Sequence, residues 1–280
     1  MTTLGAIYVP QHPPERLPDV ARAADEAGLA ELWLWEDCFL NSGIAAASAA
    51  LAVTERLRVG IGILPVPFRN VALCAMEIAT LNRLFGDRAI TGIGHGVQDW
   101  MTQVGARPAS PLTLLREYAT ALRALLHGET VTADGRYVRL DKVALDWPPT
   151  PAPPLLIGAT GPKTLALAGE LADGTILTGG TSIAGVEQAR RRIAAAGPHE
   201  IVVFMPAAFG PEAHERLRIH REQFDLDEPG VAGDAHEIAD AVRAYAAAGA
   251  TKVILQPMYG DPDPEAYVRF VAEEVQPLVA

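Results

Sequence analysis

The residues best able to do chemistry stand in short clusters that mix glycine with a single polar group. Ala159-Thr160-Gly161-Pro162-Lys163 and Thr178-Gly179-Gly180-Thr181-Ser182 each run directly into a stretch of helical character. Small residues at such a junction let backbone N–H groups approach a phosphate oxygen, and the positive end of the following helix favours the negative charge. Two such loops can share one phosphate, with Lys163 adding a countercharge at the rim. Three further clusters, Pro10-Gln11-His12, Glu36-Asp37-Cys38 and Gly94-His95-Gly96, carry groups that handle protons. His12 and His95 each follow a β-rich run, which turns them toward the end of the sheet where ligands bind. Asp37 is flanked by Trp35, Cys38 and Phe39; partial desolvation there raises a carboxyl pKa and suits it to hold or deliver a proton.

Other chemistries lack their spacing. Gly92-Ile93-Gly94-His95-Gly96 does not have the G-x-G-x-x-G pattern, and there is no G-x-x-x-x-G-K-[ST], so the dinucleotide-fold and P-loop readings are rejected. His127, His199, His214, His220 and His236 fall on predicted helices or their ends, and none forms an H-E-x-x-H pair. Two cysteines, Cys38 and Cys74, are too few for a disulfide framework and lack zinc-site spacing, so no metal is expected. No G-x-S-x-G elbow supports a hydrolase triad.

The elements that must position these clusters follow from the hydrophobic pattern. Short apolar runs alternate with longer Ala-, Leu-, Arg- and Glu-rich stretches at helical period, the pattern of parallel βα units. Strands are predicted at Leu4–Val9, Leu32–Glu36, Arg58–Leu64, Ala89–Gly94, Pro154–Gly158, Gly174–Leu177, Ile201–Met205 and Lys252–Gln256. Gly28, Gly86, Gly197 and Gly249 are placed as helix C-caps, where a left-handed backbone costs glycine little. Four strands before and four after a long interruption make an α/β chain, a (β/α)8 TIM barrel with an insertion after strand 4, in one domain spanning 1–280. The interruption, 97–153, holds a predicted helix over Leu112–Leu126 and a hairpin over Thr130–Leu140 turning at Asp134-Gly135; it is expected over the barrel mouth.

Composition bounds the partners. The chain has 280 residues, 49% of them hydrophobic, enough for one large core. Its formal net charge of −11 argues against nucleic acid as a partner. The absence of any long uninterrupted apolar stretch or of a basic-then-apolar start points to a cytoplasmic protein with no membrane partner.

Taken together, Trp35-Glu36-Asp37-Cys38-Phe39, Val59-Gly60-Ile61-Gly62-Ile63-Leu64-Pro65, Ala75-Met76-Glu77-Ile78-Ala79-Thr80-Leu81, Gly92-Ile93-Gly94-His95-Gly96, Ile157-Gly158-Ala159-Thr160-Gly161-Pro162-Lys163-Thr164 and Glu170-Leu171-Ala172-Asp173-Gly174 resemble, nearly end to end, the luciferase-like monooxygenase superfamily, specifically its branch that uses the deazaflavin coenzyme F420. The resemblance implies a cofactor ring across the barrel mouth, backed by Gly62-Ile63 as a bulge carrying a non-prolyl cis peptide. It implies ring contacts from Asp37, Cys38, His95 and Gly96. Phosphate contacts would come from Ala159, Thr160, Gly161, Thr178, Gly179 and Gly180, with Gly158 and Leu177 also binding the cofactor. It also implies a homodimer packed through helices near strands two to four.

Two departures bear on mechanism. Sugar-phosphate dehydrogenases of that branch carry a His after the strand-two Asp and a Glu after the strand-four Gly, where this chain has Cys38 and Val97. The expectation is hydride transfer between the deazaflavin and a small uncharged organic substrate, with His95, Asp37 or His12 handling a proton. FMN-dependent oxygen insertion and non-catalytic F420 binding are the alternatives.

Overall fold

The computed structural model describes residues 2–224, 230–258, 261 and 263–279. In chain order the first half holds β1 (Thr3–Tyr8), α1 (Leu17–Ala27), β2 (Glu31–Leu34), α2 (Gly43–Ala52), β3 (Arg58–Pro65), α3 (Val71–Phe85), β4 (Ala89–Gly94), α4 (Gln98–Gln103) and α5 (Pro111–Leu126). After them come β5 (Val131–Asp134), β6 (Arg139–Val143), β7 (Leu155–Gly158), α6 (Pro162–Leu171), β8 (Gly174–Leu177), α7 (Ile183–Ile193), β9 (Glu200–Ala208), α8 (Ala213–Phe224), β10 (Val231–Ala232), α9 (Ala235–Ala248), β11 (Lys252–Gln256), α10 (Pro264–Phe270) and α11 (Gln276–Val279).

Strands β1, β2, β3, β4, β7, β8, β9 and β11 pair in that order, all parallel, and β11 returns to β1, closing the predicted eight-stranded barrel. Alternation of side chains divides the apolar residues into two cores. Leu4, Leu32, Val59, Ile157 and Val253 face outward into the helix layer, whereas Ile7, Trp33, Ile90, Leu156, Ile176, Val202, Phe204 and Ile254 fill the barrel. The N-terminal end is plugged by polar groups: fully buried Glu31 accepts from Lys252 Nζ (3.0 Å), Arg58 (3.0 Å) and Trp33 Nε1 (2.9 Å). A buried carboxylate is tolerable only with such multiple partners. The opposite, C-terminal end is left open for chemistry.

Two expectations change here. Of the segment expected over the mouth, only its start reaches the cavity; α5 instead packs between α3 and α6 as the barrel's fourth helix, burying Leu115, Tyr118, Leu122 and Leu125 in the outer core. Its amphipathic stripe needs a sheet or helix to cover it, and the barrel wall supplies one. The β5–β6 hairpin rides on α5, where the Glu117 carboxylate accepts the backbone N–H groups of Arg136, Tyr137 and Val138. Gly28 and Gly249 are left-handed caps as expected, and Gly86 caps α3 with positive φ. Gly197 is not a cap: α7 ends earlier, at Ala194, which itself adopts the left-handed conformation.

Candidate functional site

Strand β3 sets up the open end. Its register against β4 shifts between Ile61 and Leu64, a bulge that places Gly62 and Ile63 both toward the barrel axis while Ile61 and Leu64 face outward. A Cβ on Gly62 would lie 2.7 Å from the Trp35 ring, and one on Gly158 would lie 2.6 Å from Ile63 Cγ2. Glycine at these positions lets Ile63 lie across the mouth. The bulge matches the expectation, but the cis bond does not: among the described residues the cis peptides are Cys38–Phe39 and Thr150–Pro151, and Gly62–Ile63 is not one of them. An extra residue in the strand is enough to form this bulge.

Above Ile63 lies a cavity of about 670 Å3, within the roughly 300–1,000 Å3 usual for small-molecule sites. One side is walled by the ends of β3, β4, β7 and β8: Gly62, Ile63, Gly94, His95, Gly96, Gly158, Ala159, Thr160, Ile176, Thr178 and Gly179. Gly96 has φ +67°, and a Cβ there would meet Pro65 at 2.9 Å. Gln98 fastens this loop by donating to the carbonyls of His95 (3.3 Å) and Gly96 (3.4 Å). His95 Nε2 lies 3.2 Å from Thr164 Oγ1 on α6, and burial holds its pKa below the ordinary histidine value. Its Nδ1 is buried with no partner among the described residues, and Trp35 Nε1 is in the same condition. Two orphaned ring nitrogens at one cavity call for a ligand with polar atoms on its edge.

The helix ends at β7 and β8 differ. Gly161 caps α6 without a side-chain hydrogen bond and Pro162 follows, so the first-turn N–H groups remain available to an anion. At α7, Ser182 Oγ already accepts from Gly185 N–H (3.1 Å), and Tyr245 donates to the Thr181 carbonyl (2.9 Å). The α6 end is the better phosphate seat.

The other side is walled by the ends of β9, β11, β1 and β2: Phe204, Pro206, Gln256, Gln11, Trp35, Glu36 and Asp37, with His220 from α8. Glu36 is buried and paired with Arg69 through two contacts of 2.6 and 3.1 Å, and it accepts from Gly43 N–H at 2.8 Å. Burial works against the Arg69 charge, but the Glu36 contacts outweigh it and its pKa rises. Arg69 also reaches Glu77 at 3.2 Å. Asp37, next along, has no such partner on its carboxyl among the described residues, and burial raises its pKa. Val97 and Trp100, from the loop after β4 and from α4, close the rim.

The structure therefore brings Asp37, Gly62, Ile63, His95, Gly96, Gly158, Ala159, Thr160, Thr178 and Gly179 to one cavity. Five expected residues stand elsewhere. His12 turns against the Tyr8 ring (centroids 5.6 Å apart), outside the cavity wall. Leu177 points outward into the helix layer because strand alternation sends its neighbour Ile176 inward. Cys38 lies past the β2 end with its thiol off the wall. Gly161 and Gly180 belong to the turns behind the wall.

Sequence reasoning missed His220, which had been grouped with ordinary helical histidines. The signal was present: Ala213, Leu217 and His220 form the inward stripe of a helix that is otherwise exposed and charged, so a histidine occupies a core-facing position. Thr164 and Gln256 were missed because the approach of α6 to the β4 end and of the β11 end to Gly179 is invisible in local pattern, as is the pairing of Glu36 with Arg69.

Comparison with known proteins adds the following. The family model described as luciferase-like monooxygenase matches residues 1–258. A 5,10-methylenetetrahydromethanopterin reductase of Methanolobus tindarius is 30% identical over 271 residues, covering 94% of this chain and 77% of that protein. An F420-dependent glucose-6-phosphate dehydrogenase of Nakamurella multipartita is 31% identical over 212 residues, 65% of this chain and 61% of that one. Among solved structures, the coenzyme F420 dependent tetrahydromethanopterin reductase of Methanopyrus kandleri has a TM-score of 0.85 at 20% identity, covering 100% of this chain and 99% of that one. An F420-dependent secondary alcohol dehydrogenase solved with an F420–acetone adduct has a TM-score of 0.86 at 21% identity, with 100% and 99% coverage. These two establish likeness of fold.

Proposed function

The chain belongs to the luciferase-like monooxygenase family, and from that premise we propose that it is a coenzyme F420-dependent oxidoreductase acting on a small uncharged organic substrate. One observation carries the reading: a glycine-cleared wall at β3, β4, β7 and β8 carries the orphaned Nδ1 of His95, the orphaned Nε1 of Trp35 faces the same cavity from the β2 end, and the uncapped α6 N-terminus opens beside that wall. These residues fit a flat tricyclic ring with a phosphate-bearing tail. Ile63 and Gly62 back the ring, His95 and Trp35 meet its polar edge, and Ala159, Thr160 and the first turn of α6 hold the phosphate. The relatives named as F420-dependent support the same cofactor.

When bound, the deazaflavin supplies a two-electron hydride carrier. The protein's part is to exclude water and to manage protons. Asp37, with its pKa raised by burial, holds or delivers a proton from the β2 end of the cavity. His95 is anchored to Thr164 and orients the ring. No Lys or Arg is among the described wall residues, so a phosphorylated or carboxylated substrate would lack a countercharge there. That agrees with Cys38 and Val97 standing where sugar-phosphate enzymes have His and Glu.

We further propose a cytoplasmic homodimer. Leu73, Met76 and Leu84 form an exposed apolar stripe on α3, next to exposed Phe68, and Met76→Glu is expected to convert a dimer to a monomer in sedimentation velocity. The function itself is tested by following the visible absorbance of F420 over a panel of alcohols and carbonyls. Turnover without oxygen uptake supports it; oxygen-dependent turnover with FMN overturns it.

A further inference from the structure

The cavity wall from β9 to β2 holds a carboxamide set on a rigid element. Gln256 is the last residue of β11. Strand alternation turns it inward: Ile254 packs inside the barrel and Leu255 in the helix layer, so Gln256 follows Ile254 to the cavity wall. Gln11, the other amide of this side, is exposed and lies past the end of β1. A polar group fixed by a strand is held more precisely against a ligand than one on a loop.

Room has been made for the Gln256 side chain. It reaches across the end of β9 to the turn after β8, where a Cβ on Gly179 would lie 2.6 Å from its Oε1 and 3.9 Å from its Nε2. A side chain at position 179 would push the carboxamide out of this place. With one end of the amide against Gly179, the other is left toward the cavity that Gln256 lines, and the amide makes no hydrogen bond to a described residue. Asp37 stands at the far end of the same side, on the end of β2, with β1 between the two strands. Two strand spacings amount to about 10 Å, and the side chains reaching inward from each leave a gap the size of a small ring. Beneath it the floor is aromatic, with Phe204 of β9 and Trp35 at the β2 end 5.9 Å apart, centroid to centroid.

We infer that Gln256 is the specificity-determining residue of this site, and that the substrate is a compact neutral ketone or alcohol with a second neutral polar group on the far side of its carbon frame. This rests on the proposed F420-dependent reaction. The bond changes stay at the Asp37 end: in reduction the carbonyl carbon takes hydride from the reduced deazaflavin, and its oxygen takes the proton that Asp37 delivers. Gln256 holds the remote group and so decides which molecules present their carbonyl to Asp37. A carboxamide both donates and accepts without carrying charge. It therefore suits a hydroxyl or an amide and gives a carboxylate or phosphate no countercharge. A molecule without the remote group leaves the amide desolvated and unpaired, which counts against it.

The F420-loaded protein, titrated with cyclohexanone, 4-hydroxycyclohexanone and 4-oxocyclohexanecarboxylate and read by saturation-transfer NMR, tests this. The wild type is expected to bind 4-hydroxycyclohexanone about tenfold more tightly than cyclohexanone. Equal affinities overturn the inference. Gln256→Leu is expected to bind these two ketones within about twofold of each other, with F420 affinity within about threefold of the wild type. A hydroxyl preference that survives the substitution overturns the inference. So does a loss of F420 affinity of about tenfold or more, which puts Gln256 on the cofactor side. Gln256→Lys adds a countercharge and is expected to raise the affinity for 4-oxocyclohexanecarboxylate about tenfold over the wild type; no gain overturns the assignment. Failure of the wild type to bind F420 is a different result, which overturns the proposed function instead.

Discussion

The two sides of the barrel mouth solve different problems with different residues. The side from β3 to β8 works by omission: a Cβ at Gly62, Gly94 or Gly158 would lie between 2.6 and 3.2 Å from Trp35 or Ile63, so the wall stays thin and its backbone reachable. The side from β9 to β2 works by addition, with aromatic rings, two glutamines, two carboxyls and an imidazole. A large rigid ligand with a charged tail suits the first. A smaller, changeable and uncharged one suits the second. Cofactor identity is thus written in absences, and substrate choice in side chains.

The largest expected effect comes from breaking the seam between the sides. Arg69 ties Glu36 at the β2 end to Glu77 on α3, and Arg69→Met leaves Glu36 buried and unpaired. A loss of about 3–5 kcal/mol in denaturant unfolding is expected. A loss under about 1 kcal/mol would mean that the seam does not hold the two walls together.

Next in size is a dissociation between the sides. Asp37→Asn should lower turnover about 100-fold while F420 affinity changes by less than about threefold. Gly158→Ala should do the reverse, because its new Cβ drives Ile63 toward the ring face. Affinity is expected to fall about tenfold, with kcat at saturating cofactor retained. If both variants lose the same parameter, the division into two walls is wrong.

The smallest effect is a pH dependence spread over both walls. Burial lowers the pKa of His95 and of His220, so the unfolded chain binds more protons than the folded one below the ordinary histidine pKa of about 6.5. The stability from keeping them neutral is therefore complete above that value and declines as the pH falls through it. Asp37, with a raised pKa, contributes with the opposite sign in the carboxylate range. Melting temperatures between about pH 7.5 and 5.5 should drop, and His95→Gln or His220→Gln should flatten the drop more than His236→Gln. Equal slopes in all three variants would contradict the burial of these rings.

How much of this was legible in the sequence follows the same divide. The strands were readable because each is a short apolar run bounded by turn residues, and Ala89–Gly94, Gly174–Leu177 and Lys252–Gln256 are found where they were expected. Glycines at strand ends marked the first wall because a missing side chain is visible in sequence. The second wall was harder to see. His220 belongs to a helix whose neighbours are Arg, Glu and Ile, so its place on the short stripe with Ala213 and Leu217 was easily passed over. The helix taken for part of a lid, α5, was misplaced because an amphipathic stripe states that a face is covered without stating by what. Glu36 and Arg69 are 33 residues apart, and no local pattern pairs them.

The central claim is that the thin wall selects a deazaflavin. Parallel fluorescence titrations of the purified protein with F420 and with FMN test it most directly. F420 is expected to bind at least about tenfold more tightly, with no oxygen consumed on reduction. Tighter binding of FMN, accompanied by oxygen uptake, would contradict the account.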